Sequence, residues 1–329
     1  VKRVVVTGMA GISPLGNELA AVMERLRAER NAVQRIAEWA DYEGLNTNLG
    51  APAAPFELPA NYTRKSTRSM GRVAVMAVRS AELALAQAGL LEDPLLKSGQ
   101  VGISYGSSSG TPDAIGDFGQ MLLNKTTNGI NANTYLKMMS HTAPVNMGVF
   151  FGVTGRVIPT SSACTSGSQG IGYAYEAIKF GRQVAMIAGG AEELSATQAA
   201  VFDTLFATSV RNDEPELTPR PYDRKRDGLV IGEGACTLIL EEREHALARG
   251  ATLFAEIVGF GCNSDGTHVT QPNADTMRAA MQLALRDAGL QTGDIGYINA
   301  HGTATTHGDI AESHAVHRLF GQRTPMSSL

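Results

Sequence analysis

Apolar residues are spaced along the chain in two patterns, one with the period of a strand and one with that of a helix. Residues 4–6 are three consecutive valines, and residues 184–193 read VAMIAGGAEE, which is typical of strands covered on both faces. Residues 69–89 instead carry Met, Val, Ala and Leu at helical spacing and end in a glycine, Gly89. The pattern therefore predicts buried strands and amphipathic helices within one chain.

Shorter signals mark the ends of these elements. Gly8 and Gly11 predict a turn after the first strand, and Asn17 is placed to cap a helix over residues 18–29. Residues 40–63 have no clear period and are rich in Asn, Pro and Ala, which predicts a surface loop. We therefore expect a short first strand, and an irregular segment before the helix at 69–89.

The order of the predicted elements indicates the fold class. Strands alternate with helices along most of the chain and some strands follow one another, which is the pattern of an α/β protein with a mixed sheet. A strand, a loop of small residues and a helix follow one another at 156–180 and again at 295–320. This weak internal repeat suggests two similar halves.

Composition and charge narrow the class of protein. Only 18% of the residues are charged and 36 are glycine, which favours a compact α/β enzyme. The net charge of −4 gives no electrostatic footprint for nucleic acid, and no stretch reaches the ~18 consecutive apolar residues that span a bilayer. Three widely spaced cysteines, Cys164, Cys236 and Cys262, indicate neither a disulfide framework nor a metal site. We expect a cytoplasmic protein without nucleic-acid or membrane partners.

Cys164 lies in the segment TSSACTSGSQGIGYAYEAI, between a predicted strand and a predicted helix. A helix N-terminus both exposes a thiol and lowers its pKa, and a nucleophile needs both effects. The small neighbouring residues leave room for a substrate and let backbone N–H groups approach an oxyanion. This favours Cys164 as a nucleophile, whereas Cys236 and Cys262 lie in apolar strand patterns and are predicted to be core residues.

His301 follows an apolar strand in the segment GYINAHGTATTHGD. The carboxyl end of a strand is where α/β sheets place reactive groups, so the imidazole is a candidate for acid–base work on a thioester. The alternative is a histidine that only bonds a carbonyl at the strand end. The same stretch is dense in metal-ligand side chains, so a metal-dependent hydrolase is a second interpretation, although no HExxH motif is present. These side chains are His301, His307, Asp309, Glu312, His314 and His317.

Long segments of the chain, in order, resemble the beta-ketoacyl-ACP synthases of fatty-acid and polyketide synthesis. The resemblance runs from residue 3 to the end, through VVVTGMAGISPLGN, PTSSACTSGSQGIGYAYEAI, PRPYDRKRDGLVIGEGACTLILEE and IGYINAHGTATTHGDIAES. It implies a thiolase-like α/β fold, in which two similar halves with mixed sheets form five α-β-α-β-α layers. The corresponding division of the chain is 1–253 for the N-terminal half with the nucleophile, and 254–329 for the start of the C-terminal half.

The resemblance also implies a reaction and its residues. Cys164 matches the nucleophile that accepts an acyl group from acyl carrier protein (ACP), and malonyl-ACP then loses carbon dioxide and attacks that thioester. His301 matches the first of two catalytic histidines, and no metal or organic cofactor is required. The surrounding matches are Thr303 and Thr305 for contact with pantetheine, His268 and Thr270 for the entrance loop, and Asp309 and Glu312 for support of the site.

The chain departs from the family pattern at two places. Family members continue beyond the position of Leu329 with a lysine, the second catalytic histidine and the last strands, so we expect the protein to be longer than these 329 residues. Ser109, in GSSSGT, stands where many fatty-acid enzymes place a bulkier apolar residue beside the acyl pocket. A small polar residue there suggests a longer or less saturated chain, as in polyene or aryl-polyene synthesis.

Partners and competing functions follow from the same resemblance. ACP is acidic, so the basic run Arg64, Lys65, Arg68 and Arg72 on a predicted helix is the candidate surface for it, the alternative being a solvated helix face. A dimer is expected, either of two identical chains or with a related ketosynthase-like subunit. The retained Cys164 and His301 favour an active synthase over a non-catalytic partner of the chain-length-factor type. A degradative thiolase and the metal-dependent hydrolase are further alternatives.

Overall fold

The computed structural model describes residues 1–267 and 271–328 and divides the chain into two compact units. The first unit consists of Val1–Asn31, Pro52–Glu193 and Gly232–Ile257, and the second of Ala32–Ala51, Leu194–Ile231 and Val258–Leu329. Each unit contains both helices and strands, as the predicted α/β class requires.

The bounds of the elements are as follows. The strands are β1 (Val4–Ile12), β2 (Gln34–Arg35), β3 (Leu49–Ala51), β4 (Val101–Gly106), β5 (Val157–Thr160), β6 (Ala185–Glu192), β7 (Ile231–Gly232), β8 (Gly234–Glu242), β9 (Ala255–Ile257), β10 (Ile298–Asn299) and β11 (Met326–Ser327). The helices are α1 (Leu19–Arg27), α2 (Arg64–Thr67), α3 (Arg72–Ala88), α4 (Pro112–Asn124), α5 (Ala132–Met138), α6 (Thr142–Phe151), α7 (Ser166–Lys179), α8 (Ala196–Asp203), α9 (Arg243–Ala248), α10 (Ala274–Ala288) and α11 (Thr306–Phe320).

The first unit is built on a six-stranded sheet with the order β5-β4-β6-β8-β1-β9. Strand β4 pairs in parallel with both β5 and β6, whereas β8 runs antiparallel to β6 and to β1. The predicted mixed sheet is therefore confirmed. Because β5, β4 and β6 are parallel, their carboxyl ends lie at one edge of the sheet.

Helices cover both faces of this sheet. The Ile103 side chain in β4 reaches Gly148 of α6, whereas Gly106, three positions later, meets Ser166 at the start of α7. Side chains alternate between the faces of a strand, so α6 and α7 lie on opposite faces. The larger apolar core is on the α6 face, where α3 packs against Tyr105 and other strand residues.

Helix α3 closely matches the helix predicted at 69–89. It ends where Gly89 adopts a left-handed backbone with φ of +69°, which confirms the predicted stop. It begins at Arg72 rather than at residue 69, after Gly71, which has no side chain to cap the helix. The carboxylate of Glu193, at the end of β6, accepts a hydrogen bond from the Val73 N–H (3.0 Å) instead.

Two predictions about the N-terminal segment are wrong. Gly8 and Gly11 lie inside β1 and not in a turn. The reason for a glycine at position 8 is steric, because a Cβ there would collide with the Ala84 carbonyl of α3. Gly8 therefore permits close packing of α3 on β1. Asn17 does not cap α1, since its side-chain amide donates to the Pro55 carbonyl (2.8 Å). The predicted loop at 40–63 also contains β3.

The second unit contains α10 and α11, which pack on each other, and the short parallel pair β10–β11. Helix α10 ends at Gly289 as predicted. Cys262 lies outside any strand and is exposed, and Cys236 of the first unit, although in β8, is exposed as well. The prediction that both are core residues is wrong. At Cys236 the alternation of the strand is the reason, because Ala235 and Thr237 take the buried positions on either side.

Candidate active site

Cys164 lies in a tight turn that leads from β5 into α7. Two backbone hydrogen bonds close the turn, from the Thr165 N–H to the Ser162 carbonyl (3.2 Å) and from the Ser166 N–H to the Ala163 carbonyl (3.0 Å). Ala163 has a left-handed backbone with φ of +50°, which a residue with a Cβ seldom adopts. The Cys164 side chain is exposed. A strained strand-to-helix turn that presents a reactive side chain is a recurrent way to build a nucleophile.

Hydroxyl groups on both sides of Cys164 hold this turn in place. The Ser166 hydroxyl accepts from the Ser162 N–H (2.8 Å) and donates to the Ala163 carbonyl (2.7 Å). The Thr160 hydroxyl, at the end of β5, donates to the Ser166 carbonyl (2.8 Å). The run of small hydroxyl residues around Cys164 therefore fixes the backbone that carries the thiol.

Glycines let the first turn of α7 rest directly on the ends of the strands. A Cβ on Gly106 would lie 2.6 Å from the backbone carbon of Ser166, and a Cβ on Gly190 would lie 2.9 Å from the Cα of Gly167. These distances leave no room for a side chain at the two strand ends. The positive end of the α7 dipole consequently lies at the carboxyl edge of β4, β5 and β6, directly after Cys164.

Ser109, the predicted acyl-pocket residue, lies in the loop that follows β4. Gly106 at the end of β4 pairs with Thr160 at the end of β5, and the Ser107 N–H donates to the Thr160 carbonyl (3.3 Å). The Ser109 loop and the Cys164 turn thus leave neighbouring parallel strands at the same edge. The predicted nucleophile and the predicted acyl-pocket residue both belong to this edge of the first unit.

His301 lies in the second unit, two residues after β10, and its side chain is exposed. The carboxylate of Glu312 in α11 accepts from the His301 N–H (2.8 Å) and from the Gly302 N–H (2.9 Å). The Tyr222 hydroxyl donates to the same carboxylate (2.6 Å). Glu312 therefore fixes the backbone of His301 and Gly302, from which the imidazole side chain extends.

Asp309 holds the next part of the same loop. Its buried carboxylate accepts from the Ala304 N–H (3.0 Å) and the Tyr222 N–H (2.7 Å), and it forms an ion pair with Arg226 (3.2 Å). Ala304 has a left-handed backbone with φ of +61°. Burial and the neighbouring Glu312 carboxylate raise the pKa of the Tyr222 phenol, which therefore stays protonated and able to donate.

Thr303 and Thr305 are half-buried beside these carboxylates. Their hydroxyls lie 2.8 Å apart, and Thr305 caps α11 by accepting from the Gly308 N–H (3.2 Å). His268 and Thr270, which were predicted to line the entrance, lie outside the described residues.

Sequence reasoning missed Tyr222 and Arg226, which lie in a charged loop far from His301 in the sequence. The aromatic and the cluster of arginines within the segment PRPYDRKRDG were the available signal, since a tyrosine in a charged loop often has a buried partner. Their contacts with Asp309 and Glu312 make them part of the support of the His301 loop.

The side chains behind the metal-site interpretation do not converge. Within residues 1–267 and 271–328, no group of three His, Cys, Asp or Glu side chains is placed to hold a metal ion. His307, His314 and His317 are exposed, whereas the carboxylates they would need, Asp309 and Glu312, are engaged by backbone N–H groups.

The predicted basic run divides into two parts. Arg64 and Lys65 lie in α2, Arg68 follows it, and all three are exposed. Arg72, at the start of α3, instead makes two hydrogen bonds to the buried carboxylate of Glu233 (2.9 and 2.5 Å). Arg72 therefore has a structural partner within the first unit.

Among the described residues, no helix is both long and apolar enough to cross a membrane.

Comparison with known proteins gives a consistent set of similarities. The family model "Beta-ketoacyl synthase, N-terminal domain" matches residues 1–246, and "Beta-ketoacyl synthase, C-terminal domain" matches residues 254–329. The chain is 36% identical to 3-oxoacyl-[acyl-carrier-protein] synthase 2 of Vibrio cholerae, over 98% of this chain and 78% of that protein.

Solved structures agree with this. A beta-ketoacyl synthase from Burkholderia phymatum STM815 is 58% identical, has a TM-score of 0.98, and is matched over 100% of this chain and 81% of its own. The ishigamide ketosynthase/chain length factor is 30% identical with a TM-score of 0.86, over 100% of this chain and 80% of its own. The predicted thiolase-like α/β fold is thereby confirmed.

Proposed function

The chain belongs to the beta-ketoacyl synthase family and is an acyltransferase of the beta-ketoacyl-[acyl-carrier-protein] synthase class, and from this premise we propose how its own residues carry the reaction. The Cys164 thiolate attacks the carbonyl of an acyl-ACP thioester, and the carrier leaves as a thiolate, which takes a proton from the solvent. The observation that carries this proposal is the exposed Cys164 on a strained turn at the N-terminus of α7.

The second half of the reaction forms a carbon–carbon bond. The carboxylate of malonyl-ACP leaves as carbon dioxide, and the electron pair of the broken bond becomes an enolate. The enolate carbon attacks the Cys164 thioester, and the cysteine leaves as a thiolate, which yields a beta-ketoacyl-ACP two carbons longer. His301 is proposed to donate a hydrogen bond from its imidazole to the developing enolate oxygen.

The residues around His301 have supporting roles in this proposal. Asp309 and Glu312 hold the backbone of the His301 loop through the hydrogen bonds described above. Thr303 and Thr305 are proposed to contact the pantetheine arm, with His268 and Thr270 at its entrance. Ser109 is proposed to line the acyl pocket, where its small side chain suits a longer or less saturated chain, as in polyketide or aryl-polyene synthesis.

We propose that Arg64, Lys65 and Arg68 form the docking surface for ACP, because they are exposed cations on one short segment and ACP is acidic. Arg72, which is also exposed, is proposed as the fourth member of this surface, although its guanidinium already bonds to Glu233. The Arg68→Glu variant should raise KM for ACP substrates and leave small thioester surrogates unaffected. An equal loss with both kinds of substrate would contradict the assignment.

We also propose that the protein acts as a cytoplasmic dimer, either of identical chains or with a related subunit. The heterodimer is supported by the similarity to a ketosynthase/chain length factor structure. We further propose that the chain divides between residues 253 and 254, which is supported by the gap between the two family models. A non-catalytic role is the second candidate function, and the presence of Cys164 and His301 argues against it.

A single-turnover assay with acyl-ACP and malonyl-ACP tests the division of labour. Cys164→Ala should lose both acylation and condensation. His301→Ala should retain acylation but lose condensation by about 100-fold or more, because it removes a donor that acts on the enolate only. Condensation by His301→Ala at the wild-type rate would contradict the role of His301.

A further inference from the structure

The loop between β4 and α4, residues 107–111, is held by two consecutive carboxylates at the end of β6. Glu192 is the last residue of β6, the strand that pairs with β4, and Glu193 comes directly after it, so both approach the loop from the neighbouring strand end. The loop leaves the sheet beside the Cys164 turn, and Ser109 is its middle residue.

Glu192 contacts the beginning of the loop. Its carboxylate accepts from the Ser108 N–H (2.7 Å) and from the hydroxyl of the buried Ser107 (3.2 Å). The Ser107 hydroxyl in turn accepts from the Gly110 N–H (3.3 Å). A single carboxylate therefore fixes the backbone before Ser109 directly and the backbone after it through Ser107. Hydrogen bonds to a charged acceptor are the stronger kind, so this is a firm restraint.

Glu193 contacts the end of the loop. Its buried carboxylate accepts from the Thr111 hydroxyl (3.1 Å), and it also holds the first turn of α3 through the Val73 N–H (3.0 Å). At Gly110 the backbone is left-handed, and a Cβ there would lie 2.5 Å from the Met138 carbonyl at the end of α5. The loop is thus anchored at both ends. Glu193 also holds the start of helix α3, whereas the hydrogen bonds described for the Glu192 side chain are all made with the loop.

We propose that Glu192 is a positioning residue that sets the acyl-chain selectivity of the enzyme by fixing the path of the Ser107–Gly110 backbone. This inference rests on the proposed function, in which Ser109 lines the acyl pocket beside the Cys164 thioester. Glu192 itself touches neither the thioester nor the thiol. Its effect reaches the acyl chain through the position of Ser109.

The test compares acyl-ACPs of four and twelve carbons as donors for acylation of Cys164. Glu192→Gln keeps the size of the side chain but replaces one acceptor oxygen by a donor, which cannot accept from Ser108 or Ser107. The ratio of kcat/KM for the two donors should change by about tenfold, the effect of losing one such hydrogen bond. Glu192→Asp keeps the charge, withdraws the carboxylate by one methylene, and provides the same readout if Glu192→Gln fails to fold.

Glu242→Gln is the matched control. Glu242 is the last residue of β8 as Glu192 is of β6, and its carboxylate also accepts a backbone N–H, that of His245 (2.8 Å), but it lies at the start of α9. This control should change the ratio less than about twofold. A purely structural role for Glu192 would lower the rates for both donors equally and leave the ratio unchanged.

A double-mutant cycle with Ser109→Phe tests the route of the effect. If Glu192 acts through Ser109, the change in selectivity caused by Ser109→Phe should be much smaller in the Glu192→Gln background. Additive effects, or an unchanged ratio in Glu192→Gln with normal acylation, would overturn this inference and leave the proposed function intact. Wild-type protein that is not acylated at all would overturn both.

Discussion

Two alanines with left-handed backbones stand directly before the functional loops continue into helices. Ala163 precedes Cys164 in the first unit, and Ala304 precedes Thr305, the cap of α11, in the second. A left-handed backbone costs an alanine about 1 kcal/mol, so the surrounding hydrogen bonds must compensate for it. At Ala163 these are the bonds of Ser166, and at Ala304 they are those of Asp309.

Substitutions at Ala163 should separate stability from activity. Ala163→Gly removes the strain and should raise the free energy of unfolding by about 1 kcal/mol, whereas Ala163→Val should lower it by about 2 kcal/mol, because a β-branched residue tolerates this backbone least. Thermal unfolding checks the order Gly, Ala, Val. The Val variant should also acylate more slowly, since the turn that presents Cys164 would relax. A Val variant as stable and as active as the wild type would contradict the account.

Sequence reasoning identified Cys164 and His301 as candidate residues but not the backbone strain near them. Cys164 was predictable because small residues between a strand and a helix leave a recognisable pattern. Ala163 and Ala304 were not, since alanine carries no signal for a left-handed backbone, unlike glycine or asparagine. Tyr222 and Arg226 were missed because contacts between distant segments depend on the fold and not on local spacing.

At the scale of elements, close packing of a helix on a glycine of another segment occurs in the same form in both units. The segments LALAQAGL at 83–90 and LALRDAGL at 283–290 end α3 and α10. In the first unit a Cβ on Gly8 would lie 2.9 Å from the Ala88 Cβ, and in the second a Cβ on Gly259 would lie 2.8 Å from the Ala288 Cβ.

A hydrogen bond accompanies this packing in each unit. The Met9 N–H donates to Gln87 (2.7 Å), and the Phe260 N–H donates to Asp287 (3.0 Å). Sequence reasoning predicted a repeat at 156–180 and 295–320, but it missed this second repeat, in which the ends of α3 and α10 pack on a glycine. It was missed because Gly8 was interpreted through its neighbours along the chain, and not through the helix that packs on it.

The contact between α7 and the sheet gives a prediction at this scale. Gly106→Ala should destabilise the protein by about 3 kcal/mol or more, because its Cβ would meet the backbone of Ser166, which cannot move without displacing α7. Acylation should fall with it, since the first turn of α7 follows Cys164.

Gly116→Ala is the control, because a Cβ there, in helix α4, meets nothing within 4 Å. It should stabilise the protein by about 0.5–1 kcal/mol through helix propensity. Urea unfolding measures both variants. Similar stability of the two would show that α7 does not rest on Gly106 as described.

At the scale of the whole molecule, the family assignment was accessible from the sequence and the charge networks were not. The composition and the order of strands and helices predicted the α/β class, and long motifs predicted the family. The buried charged residues were not predictable, because several of their partners are distant in the sequence. Glu241 in β8 is one of them, since it is fully buried and contacts Arg249 (2.7 Å), His245 (2.6 Å) and Thr7 (3.0 Å).

Glu241 should make the stability of the protein sensitive to acid. Burial alone would raise the pKa of this carboxyl, but the hydrogen bonds from Arg249 and His245 outweigh that effect and hold the pKa below its usual value of 4.5. The group therefore contributes stability above that pH, and the contribution is lost as the pH falls through the lowered pKa.

Glu241→Gln should lower the free energy of unfolding by about 2–3 kcal/mol at neutral pH, because it leaves Arg249 without its carboxylate. The difference from the wild type should shrink as the pH falls below 4.5 and disappear once it has passed through the lowered pKa, because the wild-type carboxyl is then protonated too. Urea unfolding at a series of pH values checks both parts. A constant difference across the series would contradict the lowered pKa of Glu241.

The most direct test of the central claim is the intact mass of the full-length protein before and after incubation with an acyl-ACP. We expect an added mass equal to one acyl group, which is lost in Cys164→Ala and retained in Cys236→Ala and Cys262→Ala, the two other cysteines of the chain. An adduct that survives in Cys164→Ala, or no adduct on the wild-type protein, would contradict the assignment of Cys164 as the nucleophile.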